Sequence, residues 1–167
     1  MSGGAEPPRF ACDVMLGRLA RWLRILGYDV AYGPHLRRLV LLRCARREGR
    51  LLLTRDTRLL RDPELPPHVF LRSDHFREQL REVAARVPLG TAALLTRCLD
   101  CNRPLEAAPR ATAQDRVPPY VLETQARFQR CPGCGKLYWS ATHRARMEQE
   151  LLALGFARSA PEGPGVR

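Results

Sequence analysis

The sequence predicts an α/β protein: a compact domain built on a parallel sheet, followed by a smaller domain gathered around cysteines. Three observations carry this. Short apolar runs alternate with stretches of helical periodicity through the first half of the chain. One of those runs, Leu51-Leu-Leu-Thr54 between Arg50 and Arg55, holds three successive leucines and so lacks in–out alternation. That is the pattern of a strand buried on both faces. Two Cys-x-x-Cys pairs, Cys98–Cys101 and Cys131–Cys134, mark the second half. At 167 residues there is material for one ordinary domain, or for a small domain with an appendage.

In chain order, residues 1–8 read as a loose polar arm, and the first domain is expected over 9–90. Phe10-Ala-Cys-Asp-Val14 is a short strand with an acid near its end. From Met15 to Leu26, Leu16, Leu19, Ala20, Leu23 and Leu26 recur at helical spacing and form one face. Arg18, Arg21 and Arg24 fall on another side as a basic strip, and Gly27 is placed to close the helix. Tyr28–Tyr32 reads as a second strand, ended by Gly33-Pro34, and Leu36–Glu48 as a second, basic amphipathic helix. The Arg50–Thr54 strand follows, then a brief helix or turn over Thr57–Arg61. His68–Arg72 is a fourth strand, and a helix from His75 to about Arg86 closes the domain.

The second domain is expected over 97–155, with a loose tail over 156–167. Each Cys-x-x-Cys turn lets two thiolates converge on one ion, and four thiolates satisfy tetrahedral zinc with no open position. Cys98, Cys101, Cys131 and Cys134 are therefore read as a structural Zn²⁺ site; a disulfide framework is the competing reading. The 29-residue spacer between the pairs has room for a hairpin and a helix, the latter starting near Pro118-Pro119. Lys136–Trp139 reads as a strand, and Thr142 as the cap of a last helix from His143 to about Leu154. Within that helix His143 is expected to serve a surface or nucleic-acid-facing role rather than as a ligand. Cys12 and Cys44 fall inside expected elements and read as small buried hydrophobes.

The net charge of +11 is carried almost wholly by arginine, since Lys136 is the only lysine. Guanidinium forks suit phosphate, so a polyanion partner fits; an arginine-biased genome is the plain alternative. No apolar run approaches the roughly 20 residues that span a membrane, and the start lacks the regions of a signal peptide. A cytoplasmic or nuclear protein is the default expectation.

Three acids end or follow strands: Asp13, Asp56 and Asp74. Ligands of open α/β sheets collect outside the carboxyl ends of the strands. Each acid alone has a capping or turn explanation, Asp56 for the turn that follows it. If their strands are neighbours, the carboxylates meet, and their repulsion calls for a proton or a cation. Mg²⁺ or Mn²⁺ would answer it and would serve phosphoryl chemistry.

Asp13 to Asp29, Gly49 to Asp56 and Arg72-Ser-Asp74 resemble the Mut-seven C-terminal RNase domain family. Asp115 to Tyr120 and Cys131 to Trp139 resemble its second half. The resemblance runs in order over residues 9–150. It implies a PIN-like nuclease fold with an attached zinc ribbon, RNA as substrate, and metal-dependent cleavage; eukaryotic relatives lie at the C-terminal end of mut-seven-type 3′–5′ exonucleases. On that basis Asp13, Asp56 and Asp74 are the expected catalytic acids, with Asp74 or Asp13 orienting water. Arg18, Arg21, Arg55 and Arg58 are the expected phosphate contacts. One departure stands out. Similar sequences open the second helix with acids, whereas His35-Leu-Arg-Arg-Leu-Val40 has none and offers Arg37 and Arg38 instead. That substitution works against cation binding. An RNA-binding module without catalysis, or a zinc-ribbon interaction module, is the alternative.

Overall fold

The computed structural model describes residues 6–139 and 142–156, apart from the side chains of Thr142 and His143. The expected arm and tail, beyond residues 6–8 and Phe156, and the expected roles of the Thr142 and His143 side chains, lie outside the described residues. Among the described residues no helix is long and apolar enough to cross a membrane.

Strands β1 (Phe10–Cys12), β2 (Val30–Ala31), β3 (Leu51–Thr54) and β4 (His68–Phe70) form one parallel sheet in the order β2-β1-β3-β4. The leucine run lies in a central strand and feeds two cores. Leu53 joins Phe10, Cys12 and Val69 on one face, while Leu52 joins Ala11 on the other. Helices α1 (Gly17–Ile25) and α3 (Phe76–Ala84) cover the first face, and α2 (Arg38–Glu48) covers the second. The expected apolar face of α1 is buried at Leu16, Leu19, Ala20, Leu23 and Leu26. Gly27 does close the helix, with φ +94°; a Cβ there would stand 2.0 Å from the Ala93 carbonyl oxygen.

Elements are shorter than the sequence pattern suggests, for reasons visible in the hydrogen bonds. β2 is an edge strand whose Val30 N–H donates to the Asn102 side chain at 2.9 Å, so the second domain takes over the pairing. α2 begins at Arg38 rather than Leu36, with no side chain capping it. Only a 3-10 turn, Leu59–Arg61, forms after β3.

The second domain has its own antiparallel sheet, β5 (Glu106–Ala108), β6 (Phe128–Arg130) and β7 (Leu137–Trp139), in that order. Two short helices, α4 (Arg110–Ala113) and α5 (Pro119–Thr124), lie between β5 and β6, and Pro119 is early in α5 as expected. Ala113, Val117, Val121 and Phe128 make a small separate core. The last helix, α6 (Thr142–Ala153), turns back instead: Leu151, Leu154 and Phe156 pack into the α1–α3 core, and Glu150 pairs with Arg77.

Two expectations fail. Arg24 does not belong to a solvated basic strip. It is 5% exposed, and its guanidinium donates to the carbonyls of Val30, Tyr32, Leu99 and Asp100. Burial depresses its pKa, partly offset by nearby Cys12, Cys98 and Cys101. Cys44 is half-exposed on α2 and its thiol contacts the Glu48 carboxylate at 3.4 Å; Cys12 is buried as expected.

Candidate active site and metal centre

β1 leads outward to β2, whereas β3 pairs on its other side, so the strand order reverses between β1 and β3. The crevice at the carboxyl ends of such a pair is where open α/β sheets place ligands. Asp13 follows β1 there. It is 6% exposed and held from both neighbours: Oδ2 accepts from the Thr54 hydroxyl at 2.6 Å and the Arg55 N–H at 2.9 Å, while Oδ1 accepts from the Met15 N–H at 2.9 Å. Thr54 was invisible to pattern reading except as the last residue of its strand, yet it locks this carboxylate.

Asp56, two residues beyond β3, is partly buried. Its Oδ1 accepts from the backbone N–H and the Nε of Arg58, each at 2.9 Å, and its Oδ2 accepts from the Arg58 guanidinium at 3.0 Å. The turn-capping role is thus present in the geometry. Arg58 foremost, and Arg38 with it, hold the Asp56 carboxyl below its ordinary pKa. Arg38 reaches across from the first residue of α2 to the Arg58 carbonyl oxygen at 3.5 Å. The position from which an acid was missed therefore carries a cation that acts on Asp56.

Asp74 follows β4 and is largely exposed, its carboxylate 3.6 Å from His75 Nε2. The turn before it is fixed by α3: Glu82 accepts from the N–H groups of Arg72 and Ser73, and Gln79 donates to the Ser73 carbonyl oxygen. All three acids stand at the same end of the sheet. They do not converge as a ligand cluster: among the described residues, the group whose ligand atoms lie mutually within 4.8 Å is the four cysteines. Of the expected phosphate contacts, Arg18 lies over the Phe76 ring and Arg21 lies 3.8 Å from Asp100. Arg58 is spent on Asp56, and the Nε of Arg55 is buried without a partner.

Would these residues suit a divalent cation? Asp13 is held by three hydrogen bonds and keeps capacity on Oδ1, and both oxygens of Asp56 accept from Arg58. Arg58 is exposed on a flexible stem, so it is a displaceable partner. Carboxylate oxygens are the donors Mg²⁺ or Mn²⁺ takes, and at Asp56 such an ion would have to displace Arg58.

The cysteines need no rearrangement. Cys98 and Cys134 sulfurs lie 3.6 Å apart and those of Cys101 and Cys131 3.1 Å apart, with all four thiols free. Backbone N–H groups of Cys101 and Gly133 point at the sulfurs of Cys98 and Cys131, at 3.5 and 3.3 Å. The Tyr138 hydroxyl donates to Cys98 at 3.1 Å. Burial raises the Cys98 thiol, yet these donors bring it down to about 6. A thiolate cage with N–H···S support is the chemistry of structural zinc, and the cluster is able to hold that ion.

A family model, the Mut7-C RNAse domain, matches residues 8–151. The chain belongs to the Mut7-C RNAse domain family. The match spans both the four-stranded sheet and the cysteine cluster, so the Mut7-C unit includes the two sheets together. The family's description names an RNase, which points to a nuclease-type function with RNA as the substrate class. No curated protein and no solved structure matches the chain.

The Mut7-C unit is joined by side chains the sequence pattern did not single out. Arg24 holds the carbonyls of Leu99 and Asp100 in the first cysteine turn, and Asn102 donates to Asp29 at 2.7 Å. Lys136 and Arg21 both reach Asp100. An arginine at helical spacing with two others looks exposed; only its carbonyl partners, distant in sequence, show otherwise.

Proposed function

We propose that this chain binds RNA along the carboxyl edge of the four-stranded sheet and hydrolyses its phosphodiester bonds in a Mg²⁺- or Mn²⁺-dependent reaction. The observation that carries the reading is Asp13, a carboxylate locked between β1 and β3 at the crevice where the strand order reverses. Asp13 and Asp56 would hold the cation, which supplies a water of lowered pKa and neutralises charge on the phosphate. Arg55 and Arg58 bind the phosphate that enters beside them, and Arg18 and Arg21 extend the track along α1. Arg58 meets Asp56 through Nε and Nη2, which leaves its Nη1 N–H groups for a phosphate. Asp74, exposed beside His75, would orient water or accept its proton.

Arg38 favours a second reading, RNA binding without turnover. Its charge acts on Asp56 and competes with a cation there. In the leading reading it makes the native enzyme slow; in the second it abolishes cleavage.

A labelled single-stranded RNA incubated with the zinc-loaded chain, with and without Mn²⁺, separates the two. Slow Mn²⁺-dependent cleavage that Asp56→Asn eliminates supports hydrolysis. Salt-sensitive binding with no cleavage supports the second reading. Turnover unaffected by Asp56→Asn rejects the site.

A further inference from the structure

Beside the acids, where the turn after β4 meets the 3-10 turn Val14–Leu16, lies a cavity of about 320 Å³. Small-molecule sites span roughly 300–1,000 Å³, so this one suits a single nucleotide unit rather than a folded element. Asp74 shares its lining with Met15, Arg18, His75, Phe76 and Gln79.

One wall is a stack. The Trp22 and Phe76 rings lie 5.6 Å apart at 12°, and the Arg18 guanidinium carbon lies 4.5 Å from the Phe76 centroid. Arg18 has no carboxylate partner among the described residues, so the aromatic ring holds its guanidinium in place and leaves its outer side open. Met15 is 62% exposed, a soft polarizable side chain with no packing role in the core. Gln79 is 3% exposed. Its amide N–H is committed to the Ser73 carbonyl oxygen at 2.9 Å, while its amide oxygen receives no hydrogen bond from the described residues.

Two of the remaining charges are matched. Arg77 pairs with Glu150, Glu78 with Arg81, and Asp74 lies beside His75. Asp74 disfavours a phosphate inside the cavity, whereas a flat, neutral, N–H-bearing ring finds three things there, and stacking on the Arg18 face leaves its N–H edge to the phosphate track. These three are a guanidinium to stack on, a thioether to close over it, and an amide acceptor.

We infer that this cavity receives one nucleobase of single-stranded RNA, stacked between Arg18 and Met15 and donating an N–H to the Gln79 amide oxygen. The inference rests on the reading that RNA lies along the adjacent carboxyl edge. Bases of a duplex are held in their own stack, so the pocket selects unpaired RNA. It places the base next to Asp74 and so sets where the phosphodiester falls relative to the acids.

The test is binding of pentanucleotide RNA to the full zinc-loaded chain in chelator-free buffer without added Mg²⁺ or Mn²⁺, where no cleavage intervenes. A series with one abasic position each is compared on the native chain and on Met15→Ala. On the native chain, one abasic position should weaken binding about tenfold while the others change it little. Met15→Ala should weaken the intact RNA by several-fold and show a smaller penalty at that same position, because the two partners contact each other. Equal penalties at all positions, or losses from Met15→Ala and the abasic site that multiply, overturn the pocket while leaving edge binding intact. No salt-dependent RNA binding by the native chain overturns the edge reading itself, and the pocket with it.

Discussion

Arg24 is the residue on which the union of the two domains most depends, and the cost of removing it follows from its partners. Its guanidinium donates to Val30 O and Leu99 O at 2.9 Å and to Asp100 O at 3.0 Å, with longer contacts to Val30 and Tyr32 at 3.3 Å. Methionine matches the stem of the side chain but donates nothing. Arg24→Met therefore leaves two or three buried carbonyls short of a donor. Each such loss costs about 1–3 kcal/mol, and water can rescue part of it at the more exposed Asp100. The expected destabilisation is about 3–5 kcal/mol, against a total of about 5–15 kcal/mol for a typical chain. At about 2–4 °C per kcal/mol for a chain of this size, the melting temperature should fall by about 6–20 °C. The control is Arg21→Met on the same helix, whose 3.8 Å exposed pair with Asp100 should be worth less than about 1 kcal/mol. Urea unfolding of the zinc-loaded proteins measures both. Because the carbonyls released belong to the Cys98–Cys101 turn, a zinc indicator should also show faster metal loss from Arg24→Met. If the two variants unfold within about 1 kcal/mol of each other, Arg24 is not the clamp argued here.

Natively purified protein should contain one zinc per chain, and Cys131→Ser should lose it; elemental analysis decides, and a disulfide among the four cysteines would contradict the site. Arg38→Asp should raise Mn²⁺-dependent RNA cleavage several-fold by turning repulsion of a cation at Asp56 into attraction, whereas unchanged turnover would show that Arg38 does not limit the reaction. Replacing Arg18, Arg21 and Arg55 together should weaken RNA binding and flatten its salt dependence by up to about one unit of log–log slope per lost contact. An acid titration of stability probes Asp29. Burial raises its pKa, but hydrogen bonds from Arg50, at 2.6 Å, and from Asn102 more than compensate and hold it below its ordinary value. A depressed carboxylate stabilises the fold above its unfolded pKa of about 3.9 and loses that contribution as pH falls through the lower folded value. The stability gap between the native chain and Asp29→Asn should accordingly be full near neutral pH and shrink below about pH 4.

The sequence by itself determined the α/β order, the double-sided burial of the Leu51–Leu53 run and the cysteine cluster. These follow from local periodicity and from short, fixed spacings, which neighbours in the chain enforce on one another. It also placed Asp13, Asp56 and Asp74 at one end of the sheet, because each follows its strand directly. What it left undecided were relations between residues far apart in the chain. Arg24 and Arg18 occupy the same kind of position in a helical pattern, yet one is buried against carbonyls 75 and 76 residues away and the other lies over Phe76. Thr54 gripping Asp13, Arg38 acting on Asp56, and Gln79 lining the cavity beside Asp74 are likewise products of strand order and helix docking. Periodicity says which face of an element is apolar. Only the packing of one element on another decides which charge meets which, and at this edge those meetings set the chemistry.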